Sequence, residues 1–354
     1  MAEAVFAIPG DITLPTGGYA YDRAVLARLP GMGLDIRHLE LPASYPDPSE
    51  TDLARTAELV AGTRVGTVLL IDGLAYGAMP AALIDGLDRL IVALVHHPLC
   101  LEAGLAPARA EALRKLETAA LARAARVVVT SPTTARTLVA DFGVAAERIT
   151  VAVPGTDPAS RAVGSAGDGG KVALLAVGSV VPRKGYDVLV RALAIDAATH
   201  RPDWTLAIVG AVDRSPATVA VLGDQIAAAG LGDRIDIVGP MSRDQLDRRF
   251  DRADIFVLSS HYEGYGMVLA EALARGLPIV TTTGGAAAET VPDDAALKVP
   301  PGDAATLQRA IRRMIDDRAL RGRLADAAWS AGQTLPRWSD TAERIAETIK
   351  EVGR

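Results

Sequence analysis

Short apolar runs alternate with longer mixed runs along most of the chain. Ala4 to Ile8, Val68 to Ile71, Leu90 to Val95, Val127 to Val129 and Ile149 to Val153 are wholly or almost wholly apolar. Val172 to Val177, Leu206 to Val209, Ile235 to Val238, Asp254 to Leu258 and Pro278 to Thr281 continue the series. Runs of this length, bounded by Gly, Pro, Asp or Ser, read as buried strands. Leu34 to Leu39 reads as a further strand. Helices are expected at Ala24 to Leu29, Asp52 to Ala61, Pro80 to Leu87 and Ala106 to Ala125. A Ser/Thr-capped helix should follow Thr130-Ser131 and run to about Phe142. Later helices are expected at Tyr186 to Ala194, Arg243 to Arg252, Ala270 to Arg275 and Thr341 to about Val352. Strand and helix in strict alternation imply a parallel sheet with helices on both faces. Ligands bind such sheets at the carboxyl ends of their strands.

The rhythm breaks once. Gly164-Ser165-Ala166-Gly167-Asp168-Gly169-Gly170 has no apolar period and reads as a flexible linker within residues 161–171. A length of 354 residues suits two α/β domains on either side of it, 1–160 and 172–335. A net charge of -6 argues against a nucleic-acid binder that works by bulk charge. The single cysteine, Cys100, allows no internal disulfide, and with five histidines it leaves no expectation of a dedicated zinc site. Met1-Ala2-Glu3-Ala4-Val5-Phe6 lacks the basic region of a signal peptide, and no apolar run has the length of a membrane span. A cytoplasmic location is therefore expected.

Candidate chemistry sits at strand ends. Glu263-Gly264-Tyr265-Gly266-Met267-Val268-Leu269-Ala270-Glu271 follows one apolar strand and leads into a helix. Its glycines free backbone N–H groups at a helix N-terminus to face an anion. The two carboxylates are 8 residues apart (271 − 263), which places Glu271 about two turns inside a helix that starts near Gly264. Thr16-Gly17-Gly18 offers a second Gly-rich approach between the first strand and the first helix. Arg183-Lys184-Gly185 puts two cations at a helix start, suited to a developing diphosphate charge. His96-His97-Pro98 ends the Leu90–Val95 strand. Taken singly, each of these also reads as a cap, an exposed turn or a packing residue.

Together the motifs resemble a known family. Glu-Gly-Tyr-Gly followed by Leu-Ala-Glu-Ala is similar to the E-x7-E element of retaining glycosyltransferases of the GT-B fold, family 4 type. The resemblance implies two Rossmann-like doubly wound domains facing across a cleft. Residues 1–160 would be the acceptor side, joined by a terminal helix of about residues 336–354 crossing back with Trp338 as its anchor. Residues 172–335 would bind a nucleotide diphosphate sugar. It further implies that Gly17 and Gly18 face the donor diphosphate. His96, with His97 as the alternative, would lie near the transferred sugar. Lys184-Gly185 matches the family's Lys-Gly. The Arg that should follow Gly178 is Ser179 here, and the neighbouring Arg183 is the candidate replacement. Backbone near Pro240 and Met241 would contact the base. Gly264, Tyr265, Gly266, Met267 and Val268 would line the donor, with Glu263 on sugar hydroxyls and Glu271 on the ribose. Thr283-Gly284-Gly285-Ala286-Ala287-Ala288-Glu289 resembles the family's Gly-Gly-x-x-Glu region with one extra residue, and Pro154 stands where the family has Asn.

The catalytic set implied is His96, Arg183, Lys184 and Glu263. The implied reaction moves a sugar, with retention, from a nucleotide diphosphate sugar (UDP the common base) to a hydroxyl of a glycan, lipid or small molecule. No Asp-x-Asp triplet occurs in a strand-end loop, so no metal and no cofactor beyond the donor are expected. The arginines and lysine of the 106–125 helix are interleaved with Glu111 and Glu117. They read as a salt-bridged face, with weak docking at the inner membrane surface as the lesser alternative. Two other readings stay open: a sugar-nucleotide epimerase of the same fold, and a non-catalytic nucleotide-sugar-binding module. A dinucleotide oxidoreductase is disfavoured, because no Gly-x-Gly-x-x-Gly follows the first strand.

Overall fold

The computed structural model describes residues 2–165, 170–200 and 204–354. Two compact units emerge, residues 1–155 with 336–354, and residues 156–335. In the first unit the order is β1 (Ala2–Pro9), α1 (Gly17–Leu26), β2 (Leu34–Leu41), α2 (Glu50–Ala61), β3 (Val68–Asp72), α3 (Gly73–Tyr76), α4 (Ala81–Gly86), β4 (Ile91–Val95), α5 (Pro107–Leu121), β5 (Arg126–Val129), α6 (Pro132–Phe142) and β6 (Ile149–Val151). The second unit runs β7 (Val172–Val177), α7 (Tyr186–Thr199), β8 (Trp204–Val209), α8 (Pro216–Ala228), β9 (Ile235–Gly239), α9 (Arg243–Asp251), β10 (Ile255–Leu258), α10 (Met267–Ala274), β11 (Ile279–Thr282), α11 (Ala287–Thr290), β12 (Ala296–Val299), α12 (Ala304–Asp316) and α13 (Arg318–Gly332). The last helix, α14 (Trp338–Val352), belongs to the first unit.

Among the described residues each unit holds one six-stranded parallel sheet. The orders are β2-β1-β3-β4-β5-β6 and β12-β11-β10-β7-β8-β9. β3 and β4 are buried at every position, which is why their sequences, apart from Asp72 at the end of β3, are continuously apolar rather than alternating. Both sheets are doubly wound. The strand order reverses beside β1 in the first unit and beside β7 in the second, where β10 pairs directly with β7. A reversal splays the flanking loops apart and opens a crevice at the strand ends.

Two local expectations change. Gly17 and Gly18 form no turn ahead of a helix; they are the first residues of α1. The Thr16 side chain caps that helix, accepting from the Tyr19 N–H at 3.2 Å. The helix thus starts at Gly17 rather than Ala24, and it ends at Leu26 rather than Leu29. The expected linker also changes. Of its residues, 166–169 lie outside the described residues, but 162–165 are bonded to the second unit. Ala162 N–H donates to Arg275 O at 2.9 Å, Val163 N–H to Asp251 O at 3.0 Å and Ser165 N–H to Asp254 Oδ1 at 3.1 Å. Backbone hydrogen bonds, invisible in composition, assign this stretch to the second unit.

The terminal helix α14 seats on the carboxyl end of β6. Thr341 Oγ1 donates to Val153 O at 2.7 Å, and the Trp338 ring meets Tyr21 edge-on at 5.7 Å between centroids. Basic residues on α5 are paired with carboxylates, Arg109 with Asp47 and Arg114 with Glu111 at 2.9 Å, as is Arg123 just past its end with Asp85 at 2.6 Å. Among the described residues no helix is long and apolar enough to cross a membrane.

α5 also carries a buried acid. Glu117 is 1% exposed; its Oε2 accepts the Leu99 N–H at 2.9 Å, and Oε1 is buried with no hydrogen-bond partner. Burial raises its pKa to about 8, against the opposing pull of the Leu99 bond. The native state thus holds this proton more tightly than the unfolded chain. Its stabilising contribution is whole below the ordinary Glu range and is lost as pH rises through about 8. Chemical denaturation of the wild type should show stability falling between about pH 5 and pH 8.5, by on the order of a few kcal/mol for this one group. Glu117→Gln should flatten that fall. An equally steep fall in the variant would assign it to other groups.

Candidate functional site

In the second unit the loops after β7 and β10 meet at the strand-order reversal. The β7 loop ends in the residues 182–184 turn and Gly185, whose φ of 60° is left-handed. A Cβ at Gly185 would lie 2.3 Å from Ser259 O, so only glycine lets this loop press against the end of β10. Two bonds stitch the loops: Ser259 Oγ donates to Lys184 O at 2.9 Å, and His261 N–H to Arg183 O at 2.8 Å. Glu263 is held from the far side too. Its N–H donates to Gly284 O at 3.2 Å, and its carbonyl accepts from Ala286 N–H at 2.8 Å.

This backbone brings three charges together. Lys184 Nζ lies 2.6 Å from Glu263 Oε1, and Arg183 Nη1 lies 3.3 Å from Oε2. Ser260 Oγ donates to Oε1 at 2.6 Å, and Arg183 also donates to Tyr262 O at 2.8 Å. All three charged side chains are largely buried, at 11%, 17% and 7% exposure. Burial alone would raise the Glu263 pKa; Lys184, Arg183 and the bonds from Lys184 and Ser260 hold it at about 2. The two cations expected from the sequence thus form a cluster with one carboxylate, Glu263. Gly178 borders it: a Cβ there would lie 2.9 Å from Lys184 Cε, and its carbonyl accepts the Tyr186 hydroxyl at 3.0 Å. Ser179, next along, directs its carbonyl to Val181 N–H at 3.0 Å.

Gly264, Tyr265 and Gly266 carry the chain from Glu263 into α10. Gly266 has φ 89°, a left-handed N-cap, so the helix starts at Met267. Glu271 consequently lies in the second turn of α10, closer to its start than the sequence suggested. The first amides of a helix have no acceptor within it, which leaves Met267 and Val268 N–H directed outward at the positive end of the dipole. Glu271 does not join Glu263. It pairs with Arg243 at 3.0 Å, and Arg243 reaches Asp247 at 3.2 Å. Arg243 opens α9, directly after Pro240, Met241 and the capping Ser242. The carboxyl ends of β7, β9 and β10 thus carry the whole second-unit set.

The first unit holds Gly17, Gly18 and His96. His96 follows β4, and its Nε2 lies 3.2 Å from both Asp22 Oδ1 on α1 and Asp72 Oδ2 at the end of β3. A Cβ on Gly18 would sit 3.5 Å from the His96 ring. His97 instead points to Glu102, at 3.1 Å. The facing atoms of Asp22, Asp72 and His96 lie within 4.8 Å of one another, and the imidazole sits between the carboxylates and can supply the positive charge they need. Asp22, Ser260 and Arg243 escaped sequence reasoning. Ser260 and Asp72 had a signal, being polar residues at the ends of apolar strands. Asp22 had none, since it lies within an ordinary helical run.

Two family descriptions match the chain: "Glycosyl transferases group 1" over residues 163–330 and "Glycosyltransferase Family 4" over residues 68–160. A D-inositol 3-phosphate glycosyltransferase from Acidothermus cellulolyticus is 32% identical over 247 residues, covering 66% of this chain and 54% of that protein. A mannosylfructose-phosphate synthase from Agrobacterium fabrum is 28% identical over 239 residues, covering 63% and 52%. The chain therefore spans about half the length of these relatives. Among solved structures, sucrose-phosphate synthase from Thermosynechococcus elongatus superposes with a TM-score of 0.81 at 21% identity, covering 98% of both chains. HepE of Anabaena, in complex with UDP and glucose, gives 0.76 at 19% identity, covering 98% and 99%. At these identities the structural likeness concerns the fold, which is GT-B.

Proposed function

The chain belongs to the group 1 glycosyltransferases, and from that premise we propose that it transfers a sugar, with retention and without a divalent metal, from a UDP-sugar to a hydroxyl acceptor. The observation that carries this reading is the Arg183–Lys184–Glu263 cluster at the sheet reversal, beside the N-terminus of α10. A nucleoside diphosphate leaving group needs fixed positive charge where its own charge develops. The Lys184 ammonium has three donors, so it can serve Glu263 and a phosphate oxygen together. Arg183 and the outward amides of Met267 and Val268 supply the rest. As the anomeric bond to phosphate lengthens, Glu263 holds sugar hydroxyls and steadies the positive centre. The acceptor hydroxyl attacks from the leaving-group side and gives its proton to the departing phosphate oxygen. Glu271, fixed by Arg243, takes the ribose hydroxyls. In the first unit, His96 binds a hydroxyl of the sugar or acceptor, and the first amides of α1, at Gly17 and Gly18, face anions in the same way as those of α10.

The names of the two sequence relatives each include a phosphorylated polyol or disaccharide. Small phosphorylated polyhydroxyl compounds are therefore the first acceptors to try. UDP rests on the HepE complex named above. Thermal melts with UDP, GDP, ADP, their sugars and NAD, each in EDTA and in magnesium, test the donor half. One nucleoside diphosphate at about 100 times its Kd should add roughly 2.7 kcal/mol, in EDTA as well as in magnesium. A response to NAD alone, or a strict need for magnesium, would overturn the reading. Product NMR with the matching donor then reads the anomeric configuration.

A further inference from the structure

His96 lies between two carboxylates. Its Nε2 is 3.2 Å from Asp22 Oδ1 and 3.2 Å from Asp72 Oδ2, and the two aspartate side chains are 0% and 4% exposed. Asp22 Oδ2 is buried with no hydrogen-bond partner. An unprotonated Nε2 would turn its lone pair toward two carboxylate oxygens, so this nitrogen carries a proton. A neutral ring would still leave two carboxylates crowded together away from water, an arrangement that demands a cation or a shared proton. The opposite nitrogen, Nδ1, has no hydrogen-bond partner among the described residues, and the side chain keeps 21% of its surface. Thr130 Oγ1 fixes the His96 carbonyl at 2.9 Å, and the Tyr21 ring stands edge-on to the imidazole at 5.2 Å. The ring is thus anchored on one side and open on the other.

We propose that Asp22 and Asp72 are positioning residues that keep His96 doubly protonated, so that Nδ1–H is a permanent hydrogen-bond donor to a substrate hydroxyl oxygen and the ring is no base. This deepens, and rests on, the glycosyl-transfer reading above. The groups facing the ring agree with it. Burial opposes charge on His96, but Asp22 first and Asp72 with it raise the ring to about 10. Burial and the Asp72 charge push Asp22 up to about 7, which lets it share a proton while His96 stays cationic. Tyr21, the other titratable neighbour, donates its hydroxyl to Ala152 O at 2.8 Å and is kept neutral by burial. A donor that never titrates near neutrality suits the proposed chemistry, because there the departing phosphate, and no side chain, takes the acceptor's proton.

The test needs no substrate at first. Nitrogen-15 labelling of the five histidines, with His96→Gln to assign one of them, reads charge and tautomer from about pH 6 to about pH 9. Wild-type His96 should keep imidazolium shifts throughout. Asp72→Asn and Asp22→Asn should each bring its titration down toward the ordinary histidine range, the wild type serving if either variant fails to fold. A neutral wild-type His96 near pH 7.5, or one displaced by micromolar magnesium, manganese or zinc, would overturn the proposal even if transfer is confirmed. With the donor from the melts, wild-type kcat should be level over the same range. In Asp72→Asn it should fall as pH rises, about tenfold per unit beyond the lowered pKa, with donor KM within about threefold. Matching profiles in wild type and variant would also sink it.

Discussion

Lys184→Ala is expected to lower kcat/KM for glycosyl transfer by about 10²- to 10³-fold, the usual cost of removing one preorganised charge-stabilising donor. The loss should fall mainly on kcat, because the phosphate gains negative charge only as the bond breaks. Folding should suffer less. Glu263 would still have Arg183 at 3.3 Å and Ser260 at 2.6 Å, so its charge stays compensated. Lys184→Arg should recover little, because a planar fork cannot replace a point charge seated 2.6 Å from Glu263. Steady-state kinetics beside a melt of the same preparations make the comparison. A transfer loss no larger than the stability loss predicts would remove Lys184 from the reaction.

Glu263→Ala should do the reverse, costing stability heavily as well as activity. It would leave Lys184 and Arg183 facing each other with only 11% and 17% of their side chains exposed. Breaking a buried pair on one side costs about 3–5 kcal/mol. For a unit of this size that corresponds to a fall in Tm of roughly 10 °C. Acid should narrow the gap. Glu263 is held near 2 in the native state, below its ordinary range, so its contribution is present above that range and is lost as pH falls toward about 2. Melts of wild type and Glu263→Gln should therefore converge between about pH 6 and about pH 3. A constant gap would mean that the carboxylate is not charge-coupled to the two cations.

These expectations rest on contacts that the sequence exposes unevenly. Lys184 and Glu263 are each visible as residues of a Gly-bearing loop after an apolar strand. Their mutual contact is not visible, because it depends on β7 and β10 being neighbours although β8 and β9 intervene in the chain. Ser260 follows the same logic. Asp22, Asp72 and His96 are scattered over more than seventy residues and meet only because α1, β3 and β4 converge at one end of the first sheet. The helices α8, α12 and α13 and the strand β12 went unread, although α12 buries Leu307, Ile311, Met314 and Ile315 at helical spacing and could have been found.

By itself the sequence determined the alternation of strand and helix, since a strand covered on both faces must be apolar throughout. It also determined the fold class that follows, and the loop chemistry at strand ends that resembles a sugar-nucleotide enzyme. The tertiary structure alone decided which charges neutralise one another. It showed that Lys184 and Arg183 are bound to Glu263, that Glu271 answers to Arg243, and that His96 rather than His97 is enclosed by two aspartates. The physical reason is range. Local pattern fixes backbone periodicity within a few residues, whereas the charge state of a buried group is set by neighbours that only strand order and close packing bring within reach.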